Sequence, residues 1–376
     1  MLTRRTLLKS SGLAIGAGLL PLDATALPTA DTGHPRLLYL NLNESAFGPS
    51  PRAVEAMRQN LGRVNRYADA ASAAALTEQI AAKEGVPVEQ IVLGEVLDTL
   101  GSYFAAKGGP GGEFLYSSPG YLALIDAASR LGGIGVPVPL DREHQNDLTA
   151  LAARVNAKTR AIYLVNPHNP TGTVNEDTAF KSFLREVSRR TPVIVDEAYL
   201  EYLPDFVSRS AVDLVRESAN VIVFRTFDKI HGLAGLPMGY AVVPRGLGDI
   251  LRAQGAGNLE ALGRLNLAAA QAGLGDTDHV REVGSTVATE RAQWIAVLND
   301  LKLTRTDARA SFVFFDAQRP QAEVAAAFRQ RGVVVGRLFP PYANWVRITI
   351  GLPEENRFVQ AQLRDVLAAP STRSSK

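Results

Sequence analysis

The sequence predicts an α/β fold: a large domain on a mostly parallel sheet covered by helices, then a small α+β C-terminal domain. Between residues 91 and 243, short apolar runs alternate with helical patterns, as in β–α units built around a parallel sheet. Three of these runs end in polar groups of complementary chemistry. From about residue 262 the composition shifts to Ala, Gln, Glu and Val before strand-like stretches resume.

Taken in chain order, the first 26 residues read as a leader. A basic start with paired arginines (Thr3, Arg4, Arg5, Thr6, Leu7, Leu8, Lys9) precedes an apolar, Gly-rich stretch over 12–20, and Ala24-Thr25-Ala26 offers small residues for cleavage. The apolar run is too short and too Gly-rich for a membrane span. This order of features is that of a twin-arginine signal peptide. It implies a bacterial protein handed to the twin-arginine export machinery already folded, periplasmic or secreted, with no membrane association after cleavage. Residues 27–50, rich in Pro and Asn, read as an extended arm.

The large domain is expected over 51–262. Candidate strands lie at 91–94, 114–116, 134–138, 161–165, 192–195, from Val221 toward Lys229, and at 240–243. Linking helices and the small domain occupy 263–369, with helical patterns over 262–300, 320–330 and 354–368 and strands at 312–315, 332–335 and 345–350. The polar tail 370–376 is expected to be disordered.

Composition sets outer limits. The chain has 376 residues, 46% hydrophobic and 21% charged, with a formal charge of +2, so it reads as globular with no general affinity for nucleic acid. It contains no cysteine, which excludes disulfides, thiolate metal sites and a cysteine nucleophile. Its five histidines form no closely spaced ligand pair, so no metal site is expected.

The polar strand ends carry the chemistry. The strand at 161–165 leads into Asn166-Pro167-His168-Asn169-Pro170-Thr171-Gly172, that at 192–195 into Asp196-Glu197-Ala198-Tyr199, and the third reaches Lys229. Ligands bind outside the carboxyl ends of such strands. An amine and a carboxylate there suit a pyridine aldehyde cofactor, which needs a Schiff-base lysine and an acid partner for its ring nitrogen.

These stretches, with the run Asn43 to Pro51, Asn65-Arg66-Tyr67, Gly232 to Leu236 and Arg347 to Gly351, follow the order of the fold-type I pyridoxal-phosphate aminotransferases. The chain resembles their histidinol-phosphate aminotransferase branch over nearly everything from Leu40 to Leu367. The resemblance implies a homodimer that moves an amino group between an L-amino acid and a 2-oxo acid, with pyridoxal 5′-phosphate as cofactor. It makes Lys229 the Schiff-base lysine and proton carrier, and Asp196 the partner of the ring nitrogen. Asn169 and Tyr199 would donate to the phenolic oxygen, and Tyr121 would lie on the cofactor face. Arg347 would grip the substrate carboxylate, with Asn169 beside it. Thr226 and Asp98 would border the cofactor, and Tyr67 would reach the other subunit's phosphate.

The departures fall on one function. At the turn 94–98, Val96 and Leu97 stand where small and hydroxyl residues hold the phosphate, Asp228 stands where a serine is usual, and Pro237 where an arginine is usual. Arg66 and Arg225 are candidate replacements. Two alternatives therefore accompany the aminotransferase reading. One is another pyridoxal-phosphate reaction on the same fold, such as decarboxylation, racemisation, elimination or an oxidase-like step. The other is a non-catalytic periplasmic ligand-binding descendant.

Overall fold

A computed structural model describes residues 37–368. The leader expected over 1–26 and the tail over 370–376 lie outside the described residues.

Eleven strands are present among the described residues: β1 Leu38–Leu40, β2 Ile91–Leu93, β3 Glu113–Ser118, β4 Ile134–Pro139, β5 Thr159–Val165, β6 Val193–Asp196, β7 Val221–Thr226, β8 Gly239–Val242, β9 Phe312–Asp316, β10 Val333–Val335 and β11 Trp345–Thr349. Seven form the main sheet in the order β2-β8-β7-β6-β5-β3-β4. Its pairs from β4 to β7 are parallel. Only β8 runs against its neighbours, β7 and β2. The central strands are buried on both faces, so they carry near-continuous apolar runs rather than alternation. From Ala161 to Val165, Val193 to Val195 and Val221 to Val223, every residue is buried.

Helices cover this sheet because each turns an apolar stripe inward. The helix Val96–Lys107 approaches Ala123–Arg130 closely at Gly101, where a Cβ would stand 2.3 Å from the Leu124 carbonyl oxygen. No residue but glycine allows that approach without backbone movement. Helix starts are capped by side chains in the expected way: Ser50 accepts from the Ala53 N–H and Asp69 from the Ser72 N–H.

The stretch 262–300 resolves into two helices, Arg264–Leu274 and Thr277–Asp300. Beyond it, β9 and β11 pair antiparallel, and β10 pairs in parallel with β1. Residues 38–40 of the N-terminal arm form a strand beside residues 333–335. A second apolar cluster centres here on Trp294, Phe312, Phe315 and Phe328, all fully buried, and takes in Leu40, Tyr199, Tyr202 and Ile230. Each such side chain contributes on the order of 1.5–3 kcal/mol on burial.

Candidate active site

Strands β5, β6 and β7 end side by side, and a cavity of about 440 Å³ opens beyond their carboxyl ends. Asp196, the last residue of β6, is 2% exposed on its floor. Its Oδ2 accepts from the Tyr163 hydroxyl at 2.8 Å and its Oδ1 from the Ala198 N–H at 3.0 Å. Burial pushes the Asp196 carboxyl up to about 6, against these two bonds and the nearby Lys229 ammonium. Lys229 lines the same cavity, two residues beyond a β7 extension at Phe227 whose N–H still bonds the Met238 carbonyl.

A polar chain occupies one flank. Arg347, on β11, is 6% exposed and donates from Nη1 to Asn169 Oδ1 and from Nη2 to the Asn41 carbonyl, each at 2.6 Å. Its Nε is buried with no partner. Burial pulls its guanidinium down to about 10, with Arg337 adding repulsion. Both guanidiniums stand over the Phe339 ring, at 4.4 Å for Arg337 and 4.9 Å for Arg347. Tyr199 accepts at its hydroxyl from Asn43 Nδ2 at 3.0 Å. Asn43, 1% exposed, is fixed by the Thr349 hydroxyl, which accepts from its N–H at 3.0 Å and donates to its Oδ1 at 3.2 Å. Tyr121 closes the rim, half exposed, its phenol pushed up to about 12 chiefly by burial and then by Asp196.

The other flank is acidic. Glu95, Leu97, Asp98 and Asp228 line it. Burial raises the Glu95 carboxyl, and Asp228 and Asp98 raise it further. Asp228 is also raised by burial, and its Oδ1 is buried without a hydrogen-bond partner. Asp98 bonds outward to Arg130 at 3.0 Å. Thr226 lies here too, but its hydroxyl already donates to the Met238 carbonyl at 3.3 Å and accepts from the Asp228 N–H at 3.0 Å.

The cavity therefore gathers Lys229, Asp196, Tyr199, Asn169, Tyr121, Thr226, Asp98 and Arg347. Tyr67 stands apart, 76% exposed. Of the two replacement cations, Arg66 is exposed and does not line the cavity. Arg225 is excluded by strand alternation. Its neighbours Phe224 and Thr226 face the cavity, so Arg225 projects to the opposite face, where it pairs with Glu84 at 3.0 Å and Glu197 at 2.9 Å. Pro237 is exposed and outside the lining.

Four lining or supporting residues escape a reading of the sequence: Tyr163, Asn43, Glu95 and Arg337. A lone hydroxyl in the apolar strand beside the Asp196 strand is the available signal for Tyr163. Asn43 opens a run that the sequence marks, but its role does not show there, because it depends on pairing with Thr349 some 300 residues away; Arg337 carries no signal.

The family model "Aminotransferase class I and II" matches residues 35–359. A histidinol-phosphate aminotransferase from Moorella thermoacetica is 35% identical over 340 residues, covering 88% of this chain and 86% of its own length. An aromatic amino acid aminotransferase from Thermobifida fusca is 35% identical, covering 85% and 88%. Among solved structures, the histidinol-phosphate aminotransferase from Sinorhizobium meliloti in complex with pyridoxal-5′-phosphate superposes with a TM-score of 0.80 at 28% identity, covering 89% and 92%.

Proposed function

This chain belongs to the aminotransferase class I and II family and is a pyridoxal-phosphate-dependent enzyme moving amino groups between amino acids and 2-oxo acids; on that premise we propose which residues carry the chemistry and where it acts. The observation that carries the assignment is the meeting of Lys229 and Asp196 in one cavity, with Arg347 on its flank.

When bound, the cofactor supplies a carbonyl that takes up the amino group and a ring that stabilises negative charge at the substrate α-carbon. The donor set fits its ring and its aldehyde. Lys229 provides the amine for covalent attachment and, once released, carries a proton to and from the α-carbon. Asp196 holds a proton on the ring nitrogen, with Tyr163 fixing the carboxylate's orientation. Tyr199 and Asn169 offer donors to the ring hydroxyl, Asn169 through an amide whose oxygen Arg347 already engages. Tyr121, at the rim, would cover the ring. Arg347 receives the α-carboxylate, for which a planar guanidinium is suited.

Borohydride reduction of the purified protein should fix a pyridoxyl-type adduct on Lys229, read by peptide mass. Lys229→Ala should lose both the adduct and keto-acid-dependent amino transfer, and an adduct on another lysine would refute the assignment.

The proposal also includes export by the twin-arginine route, supported by the order of features in residues 1–26. It includes a homodimer, supported by exposed Tyr39, Leu42, Leu61, Val64 and Tyr67 on and near the arm. It keeps two domains, over 51–262 and 263–369, supported by an apolar cluster around Trp294 built mainly from the second, with Tyr199, Tyr202 and Ile230 of the first joining it.

A further inference from the structure

We propose that this chain does not recognise the phosphate of its cofactor, and binds unphosphorylated pyridoxal at least as well as pyridoxal phosphate. The inference rests on the assignment of Lys229 and Asp196 above. Those two residues fix the aldehyde and the ring nitrogen, which lie opposite each other on the pyridine. The hydroxyl and the phosphate-bearing arm must then point to the two flanks of the cavity.

The flanks differ in charge. Arg337 and Arg347 lie on the flank with Asn169, where the substrate carboxylate is received. The remaining flank carries Glu95, Asp98 and Asp228. Among the described residues, Lys229 is the one cation lining that flank, and its amine is committed to the aldehyde. The start of helix Val96–Lys107 offers an anion roughly half a positive charge. Three carboxylates at that helix start and beside it already outweigh this, even with Asp98 paired outward to Arg130. The hydroxyl there, that of Thr226, is spent on the Met238 carbonyl. Among the described residues of one chain, a phosphate dianion on that flank would meet like charge with no side-chain cation but Lys229.

A hydroxymethyl group is the complement of the same surface. It is neutral, and its O–H can donate to a carboxylate. Glu95, Asp98 and Asp228 line the flank that such a group would reach, and their carboxylates are acceptors of that kind. Lys229 attaches either form alike: its nitrogen forms a double bond to the aldehyde carbon, and the aldehyde oxygen leaves as water with the two amine protons.

The test is a competition on the full chain as purified. Protein is equilibrated with equal concentrations of pyridoxal and pyridoxal phosphate and reduced with borohydride. The two adducts on Lys229, which differ in mass by the phosphoryl group, are then counted. The same competition for Nα-acetyl-lysine gives the intrinsic ratio of the two aldehydes. The protein should show no preference for the phosphate ester beyond that baseline. A preference of about tenfold or more, the worth of one charge-assisted bond to phosphate, overturns the inference and leaves the assignment of Lys229 intact. Absence of both adducts from Lys229 overturns both. Pro237→Arg, at an exposed position, should shift the ratio on the order of tenfold toward the phosphate ester, as should Asp228→Asn. No shift in either variant would show that the phosphate does not visit this flank, and would overturn the inference that its carboxylates are what deny the phosphate a partner.

Discussion

Asp196 holds the sharpest conflict between stability and chemistry. Its carboxyl titrates at about 6, up from 3.8, because burial outweighs the bonds from Tyr163 and Ala198. A carboxyl with a raised folded value binds more protons folded than unfolded, so stability falls as pH rises from about 4 to 6. At about 1.4 kcal/mol per unit, the loss above pH 6 reaches about 3 kcal/mol. In protein stripped of cofactor, Asp196→Asn should remove this fall and raise urea stability at pH 7.5 while leaving pH 4 nearly unchanged. Equal effects at both pH values would contradict it. The cost is recovered when a cationic ring nitrogen meets the carboxylate. Sequence alone delivers Asp196, because an acid at the end of an apolar strand is conspicuous. It does not deliver Tyr163, whose hydroxyl matters only through its neighbour across the β5–β6 pair. Glu95 reads in sequence as part of a turn, and its charge acquires meaning only once Asp228 is brought beside it.

Strand β7 shows how one element serves two faces. Thr226 and Phe224 line the cavity, while Arg225 sits among Glu84, Glu197, Ser210 and the Tyr240–Glu84 bond at 2.8 Å, all buried. Arg225→Met leaves two buried carboxylates uncompensated, and should cost about 3–5 kcal/mol in urea unfolding. The folded fraction should still label at Lys229, since Arg225 does not border the ligand. Loss of labelling without loss of stability would reverse that assignment. The seven main strands are legible because each is a short apolar run, most of them set between helical patterns. Strand β1 is not. It is three residues long, and its partner β10 lies almost 300 residues away. Hydrophobic periodicity records nothing of such a pairing. Nor does it record that Arg225 and Thr226, adjacent in sequence, belong to opposite faces until the strand register is known.

The whole molecule joins its ends around the cavity. Gly232, at φ +69, lies where a Cβ would be 2.2 Å from the Gly48 carbonyl, so the loop after Lys229 and the arm are in direct contact. Asn43 on that arm reaches Tyr199, and its own support comes from Thr349 on β11. Protein recovered from the periplasm should begin beyond Ala26 and show twice the chain mass by light scattering. Arg4→Lys with Arg5→Lys should leave it in the cytoplasm at full length. A monomer of unaltered length outside the cell would contradict both proposals. The family fold is legible from motif order, but not the way the arm is locked to β11, which depends on contacts between the two ends of the described chain.

The paired guanidiniums over Phe339 and the carboxylates across from them give the cavity opposite polarity at its two extremes. An amino acid arriving at neutral pH is a zwitterion, and a field of this sense turns it before contact, carboxylate toward the arginines and ammonium toward the interior. A 2-oxo acid lacks the ammonium and feels only half of that torque. The entrance thus sorts the two reactants by orientation, and salt should blunt the sorting for the first more than for the second.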